Sequence, residues 1–96
     1  MKVLLVCSGG MSTTILVSAL QKQAAGTDFT FDAVGTEQYE HEVENFDMVL
    51  VAPQVKHRFS YFDEIAQEKG KKITQIAMTE YSPMGAPKLF ARIKEL

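Results

Sequence analysis

The chain has 96 residues, of which 46% are hydrophobic and 23% are charged, as in an ordinary globular protein. Its formal net charge of −2 argues against a nucleic-acid-binding protein, because such proteins usually present a basic face. With a single cysteine the chain cannot form an internal disulfide, so we expect a reduced thiol in the cytoplasm.

The length predicts one domain over residues 1–96. No apolar run approaches the roughly 20 residues that a membrane-spanning helix needs. The short apolar run after Lys2 lacks the length and the cleavage site of a signal peptide. We therefore expect no direct membrane insertion.

The first half of the chain alternates between strand and helix patterns. An apolar run at 3–6 predicts a strand covered on both faces, and helical spacing of apolar residues at 12–25 predicts a helix that stops at Gly26. Alternating residues at 29–34 predict a strand nearer the sheet edge. Residues 36–45 predict a short helix capped by Thr36.

The second half repeats the alternation. Residues 47–52 predict a buried strand, 57–69 a helix that stops at Gly70, and 73–77 a fourth strand. Residues 78–84 predict a loop, and 87–96 a final helix. The order βαβαβαβα predicts an α/β fold with a small doubly wound, four-stranded parallel sheet and helices on both faces.

The commonest small sheets of this kind have the strand order 2-1-3-4, and ligands bind where the chain reverses direction, outside the carboxyl ends of the strands. Two loops meet at that point, at residues 7–13 and 52–55. The topology alone therefore predicts a ligand site at Cys7.

The residues after Cys7 favour binding of an anion. Ser8, Gly9 and Gly10 follow the strand, and Met11, Ser12, Thr13 and Thr14 open the next helix. Backbone N–H groups at such a helix start bind phosphate and favour the thiolate form of a nearby cysteine. A buried, unreactive cysteine is the alternative interpretation. The residues that follow Cys7 favour a reactive one.

Several sharper motifs are absent. The chain has neither the phosphate-binding loop of nucleotide hydrolases nor the glycine fingerprint of dinucleotide-binding proteins. One cysteine with two scattered histidines makes a poor metal site, and no pair of cysteines exists for dithiol chemistry. We expect neither a metal nor a cofactor.

The loop is similar to that of low-molecular-weight tyrosine phosphatases, in which Cys-x5-Arg-Ser/Thr follows the first strand of a small α/β domain. Here Thr13 stands in place of the arginine, and residues 79–83 lack the Asp-Pro general acid of those enzymes. Without the arginine, the loop loses a bidentate contact to the phosphoryl oxygens and much stabilisation of the transition state. Such a loop is better suited to carrying a phosphoryl group than to hydrolysing it.

Residues 3–13, VLLVCSGGMST, resemble the phosphocysteine loop of the lactose/cellobiose (chitobiose) type enzyme IIB components of the bacterial phosphoenolpyruvate-dependent sugar phosphotransferase system. Residues 47–55, DMVLVAPQV, resemble the second signature of that family, a buried strand followed by Gly/Ala-Pro-Gln. The two motifs have the family's order and spacing, and the resemblance extends over the whole chain.

The resemblance implies a phosphotransferase that carries a phosphoryl group on Cys7. The group would come from a phosphohistidine on a IIA component and pass to a sugar, expected to be a β-linked disaccharide, held by the membrane-embedded IIC component. The chain would therefore be a cytoplasmic phosphoprotein, transiently at the membrane through IIC. Transient docking of this kind is consistent with a monomer.

We predict that the phosphoryl oxygens contact the loop, namely Ser8, Gly9, Gly10, Met11, Ser12, Thr13 and Thr14. Gln54 is a weaker candidate, since its amide could reach the same oxygens but could equally cap a turn.

Four residues outside the loop are candidates for other roles. His57 lies between Lys56 and Arg58, and we expect it to be solvated rather than a catalytic base. His41 lies among glutamates and is expected at the surface. For Met84, as for Met11 in the loop, docking and core packing are equally good interpretations. Tyr81 lies in the last loop, where contact with a partner is an even possibility.

Two alternatives remain open. Cys7 could serve a low-molecular-weight phosphatase or an arsenate-reductase-like enzyme, although the arginine, the Asp-Pro pair and further cysteines are missing. The chain could also be a regulatory or adaptor domain in which Cys7 is never modified.

Overall fold

A computed structural model of the chain describes residues 1–8 and 11–96, the side chains of residues 11 and 12 excepted. Its sheet has four strands, β1 (Lys2–Cys7), β2 (Thr30–Gly35), β3 (Met48–Val51) and β4 (Lys72–Gln75). All the pairings are parallel, and the order is β2-β1-β3-β4. The predicted order 2-1-3-4 and the edge position of the second strand are confirmed.

Four α-helices connect and follow the strands. They are α1 (Met11–Gln23), α2 (Tyr39–Glu42), α3 (Phe59–Glu68) and α4 (Ala86–Lys94). Short 3-10 turns cover Val43–Asn45, Pro53–Arg58, Met78–Glu80 and Pro83–Gly85. Gly26 and Gly70 have positive φ angles of 83° and 69°, which explains why glycine follows α1 and α3.

The sheet is buried on both faces because its two central strands, β1 and β3, alternate between two helical layers. Val3 and Leu5 pack with α1 and α4 on one face, whereas Leu4 and Val6 pack with α2 and α3 on the other. These four side chains have no exposed surface. The continuous apolar run at 3–6 therefore reflects a strand with no solvent face, as predicted.

Three local predictions were wrong. Thr36 does not cap the second helix, which begins at Tyr39 with Gln38 at the cap position and no side-chain cap bond. The third helix, predicted from residue 57, begins at Phe59, because residues 53–58 form a 3-10 turn in which Val55 has non-helical dihedral angles. Ile15, which its spacing placed on the inner face of α1, is 49% exposed.

The segment between β4 and α4 is held by one nearly buried ion pair. The guanidinium of Arg92 donates from Nε and Nη2 to the two carboxylate oxygens of Glu80, at 2.8 and 2.7 Å. The same carboxylate accepts the backbone N–H of Ala77 at 2.9 Å. Arg92 also donates to the Thr74 hydroxyl and to the Gln75 carbonyl, so one side chain ties α4, β4 and the segment after it together.

The hydrogen bonds from Arg92 lower the pKa of Glu80 below its ordinary 4.5. A carboxyl group whose pKa is lowered on folding adds stability above its unfolded pKa, and that stability is lost as the pH falls through the folded pKa. Arg92 keeps 38% of its side chain exposed, so its charge can be rehydrated if Glu80 is removed. The loss is then expected to be smaller than for a fully buried pair.

We predict that Glu80→Gln lowers the free energy of unfolding at pH 7 by about 1–2 kcal/mol. The difference from the wild type should shrink as the pH falls below the ordinary pKa of 4.5, because the carboxyl group is then protonated in the unfolded chain before it is protonated in the folded protein, where its pKa is lower. Urea unfolding at several pH values measures both effects.

Glu44→Gln is the matched control for this substitution. It removes a carboxylate that pairs with Lys69 at 2.6 Å on the exposed surface, and it should cost much less. Equal losses from both substitutions, or a loss for Glu80→Gln that does not change with pH, would contradict the prediction.

Candidate functional site

The structure places Cys7 at the carboxyl end of the central strand β1. Its side chain is 3% exposed, and its thiol donates to the carbonyl of Val34 on β2 at 3.8 Å. Only residues 8–10 separate it from the start of α1 at Met11. The N-terminus of a helix carries N–H groups without partners in the helix and the positive end of its dipole, which favour a nearby anion.

The first turns of α1 contain no charged side chain. The first turn has no acidic residue, and the basic residue of the helix, Lys22, lies in its last turn. An anion beside Cys7 would therefore be bound by N–H groups and hydroxyls, with no charged group from this helix start.

The predicted phosphate-binding residues are only partly described. Ser8 lies in a bend and is exposed, and the Thr14 side chain is exposed on α1. Gly9 and Gly10 lie outside the described residues. Of Met11 and Ser12, the structure describes the backbone, which is helical. Contact of these residues with a phosphoryl group stays a prediction.

Thr13, at the position of the phosphatase arginine, is buried at 2% exposure. Its hydroxyl forms a short hydrogen bond with the hydroxyl of Tyr81, from the segment between β4 and α4. The two residues are 68 positions apart in the sequence. The start of α1 is thus tied to the segment between β4 and α4 by two side-chain hydroxyls.

The loop after β3 lies beside the end of β1, as the topology predicted. The backbone N–H of Ala52 donates to the carbonyl of Val6 at 2.9 Å, and Ala52 and Val55 share one buried cluster with Cys7. Gln54 is exposed on the 3-10 turn that follows. A position at this edge is compatible with a role at the site, which stays a prediction.

The other candidates take the following positions. His57 and His41 are both exposed, in agreement with the prediction of solvated side chains. Met84 is 92% exposed, which excludes the core-packing interpretation. Among the residues that the structure describes, no group of three His, Cys, Asp or Glu side chains could hold a metal ion.

Sequence reasoning missed the contact between Thr13 and Tyr81. The packing of the helices accounts for this contact in part, because α1 and α4 lie on the same face of the sheet and pack against each other. This packing brings the segment that precedes α4 towards the start of α1. The sequence contained no pattern that paired these two hydroxyls, so Tyr81 remained an unassigned loop residue.

None of the helices in the described part of the chain is both long and apolar enough to span a membrane.

Comparison with known proteins identifies relatives over nearly the full length. The chain is 29% identical over 97 residues to the oligo-beta-mannoside-specific EIIB component of the PTS (phosphotransferase system) in Bacillus subtilis strain 168, covering 99% of this chain and 94% of that protein. It is 31% identical over 99 residues to the cellobiose-specific EIIB component of Lactococcus lactis subsp. lactis strain IL1403, covering 96% and 92%.

Solved structures agree. The cellobiose-specific IIB component from Borrelia burgdorferi superposes with a TM-score of 0.75 at 34% identity, covering 95% of this chain and 85% of that one. The lactose-specific IIB domain from Streptococcus pneumoniae has a TM-score of 0.88, covering 99% and 95%, and at 20% identity it supports the fold alone. This is the low-molecular-weight-phosphatase-like fold predicted from the sequence.

The family model described as the lactose/cellobiose-specific IIB subunit of the PTS matches residues 2–92. IIB components act as phosphotransferases in sugar transport. With the order of its strands and the place of Cys7, the chain therefore belongs to the lactose/cellobiose-specific IIB family of the phosphotransferase system.

Proposed function

We propose that Cys7 carries the phosphoryl group in this phosphotransferase component. The observation that supports this most is the position of Cys7, at the end of a buried central strand and separated from the start of α1 by only three residues. It is the only cysteine in a chain that belongs to a phosphotransferase family. A thiolate there can attack phosphorus while the helix N–H groups stabilise the oxygens.

The first step takes the phosphoryl group from a phosphohistidine on a IIA component. The Cys7 thiolate attacks phosphorus, an S–P bond forms and the N–P bond breaks, and the imidazole nitrogen leaves with the bonding electron pair. Attack by a thiolate needs no base on this chain once the thiol proton has passed to water. The exposed position of His57 is consistent with that view.

The second step passes the group to a sugar hydroxyl in the IIC component. An O–P bond forms, the S–P bond breaks, and the cysteine leaves as a thiolate. The hydroxyl proton goes to a group outside this chain or to water. The sugar is then recognised by IIC, and a β-linked disaccharide is the class that the family's members suggest.

The charge pattern around the loop supports a carrier over a hydrolase. With Thr13 in place of arginine, the loop has no guanidinium to hold the equatorial oxygens. The Thr13 hydroxyl is engaged with Tyr81. In addition, the carboxylate of Glu80 in the late segment is paired with Arg92, so it is not available as a general acid for hydrolysis.

The proposal extends to partners and location. The chain would work as one carrier domain over residues 1–96, as a cytoplasmic monomer that meets the phosphorylated IIA component and then IIC at the membrane. It would use no metal or other cofactor, because both steps are displacements at phosphorus between groups that proteins and sugar supply.

Intact mass tests the central step. We predict that incubation with phosphoenolpyruvate, the general phosphotransfer proteins and a matching IIA component adds one phosphoryl group, located at Cys7. Cys7→Ala should show no added mass, because the nucleophile is gone. Ser60→Ala, at an exposed position on α3, leaves the thiol in place; it is the matched control and should still be phosphorylated. An unchanged mass for the wild type with a competent IIA component would overturn the proposal.

Hydrolysis of an aryl phosphate separates the carrier from the phosphatase alternative. We expect turnover close to the uncatalysed rate, because the loop lacks the arginine and the segment after β4 lacks a free acid. Colour release with para-nitrophenyl phosphate measures it. Substantial turnover that disappears in Cys7→Ser would establish the phosphatase function instead.

The role of Gln54 has its own test. If its amide donates to the phosphoryl oxygens, Gln54→Ala should slow phosphorylation of Cys7 by about three- to tenfold, the effect of one ordinary hydrogen bond. His57→Ala, an exposed residue on the same 3-10 turn, should leave the rate unchanged. Equal rates for Gln54→Ala and the wild type would remove Gln54 from the site.

A further inference from the structure

We propose that Glu80 and Arg92 are positioning residues for phosphoryl transfer, because their ion pair fixes Tyr81 in contact with Thr13 at the start of α1. The inference rests on the proposed function of Cys7. It assigns a role to an ion pair that lies in the segment after β4, away from the loop that carries the cysteine.

The side chain of Tyr81 contacts both the start of α1 and the hydrophobic core. Its hydroxyl is bonded to that of Thr13, and its ring packs, partly buried, against the apolar clusters on both faces of the sheet. Thr13 lies in the first turn of α1, six residues after Cys7. The backbone of this turn is the part of the helix that offers N–H groups to an anion.

The main chain around Tyr81 lies beyond the last strand, so the sheet does not hold it. Its own backbone N–H donates to Met78 within a 3-10 turn, at 3.2 Å. The fixed point is the preceding residue, Glu80, whose side chain is 4% exposed. Its carboxylate takes three hydrogen bonds, from Ala77 and from the two donors of Arg92.

The turn after Tyr81 leaves little room for adjustment. Gly85 approaches so closely that an added Cβ would lie 2.5 Å from the carbonyl oxygen of Thr79 and 2.7 Å from the Cα of Glu80. The Gly85 N–H also donates to the Ser82 hydroxyl at 3.1 Å. The two short turns on either side of Tyr81 are therefore stacked on each other and tied to α4.

This arrangement has a consequence for catalysis. Transfer at phosphorus depends on donors that already point to where charge develops, and small displacements of such donors lower the rate. Without the ion pair, Tyr81 would leave Thr13, and the first turn of α1 would lose its side-chain anchor. The surface that a partner contacts would change little, because the Glu80 carboxylate is nearly buried.

The test measures the rate of Cys7 phosphorylation against the concentration of phosphorylated IIA component, for the wild type, Glu80→Gln, Tyr81→Phe and the double variant. Each single variant should lower the rate at saturating IIA component by about three- to tenfold, with the half-saturating concentration unchanged. The double variant should be no slower than the slower single variant, because both act through one contact.

Two further variants and one spectrum control for folding. Thr74→Val removes another hydrogen bond of Arg92 but keeps the pair with Glu80, and it should transfer at the wild-type rate. If Glu80→Gln does not fold at the assay temperature, Arg92→Lys applies the same test, since lysine keeps the charge but loses the bidentate contact. The NMR amide shift of Thr13 should move in the same direction in Glu80→Gln and Tyr81→Phe.

A folded Glu80→Gln that transfers at the wild-type rate would overturn the inference. So would losses that multiply in the double variant, since they would mean that Glu80 acts separately from Tyr81. A wild-type protein that is never phosphorylated would instead overturn the proposed function itself. In that case an unmoved Thr13 amide in Glu80→Gln would separately overturn the proposed positioning contact.

Discussion

The burial of β1 on both faces is the constraint on which the rest of the structure depends. Its four central side chains pack against helices on either side, so the strand can neither slide nor turn without exposing part of the core. Cys7 is the last residue of this strand. This buried strand therefore fixes the position of the Cys7 thiol at the carboxyl edge of the sheet.

The donors differ in kind from those of a hydrolase. In a loop with an arginine, the guanidinium stabilises the negative charge on the phosphoryl oxygens in the transition state. Here Thr13 occupies the position of that arginine, and its hydroxyl is hydrogen-bonded to the hydroxyl of Tyr81. Under the proposed function, a loop of neutral dipoles would bind a phosphoryl group without adding a cation that assists attack by water, and this difference agrees with membership of a family of phosphotransferases.

The sequence predicts the architecture well because the signals are local and repeated. Apolar runs such as 3–6, helical spacing and glycines at positive φ each follow from neighbouring residues, and their alternation restricts the topology. The errors lie where two local choices compete. At residues 57–58 a 3-10 turn and the start of an α-helix have the same local pattern, and at Ile15 helical spacing alone does not say how wide the buried face of α1 is.

The parts of the candidate site that depend on local motifs and on the strand order could be predicted from the sequence. The sequence placed Cys7 and the loop after β3 at one edge, because parallel strands all end there. The contact of Thr13 with Tyr81 depends instead on how α4 packs against α1 and on where Glu80 meets Arg92. A carboxylate and a guanidinium 12 positions apart give no periodic pattern. The parts of the site that come from packing between distant elements are therefore visible only in the structure.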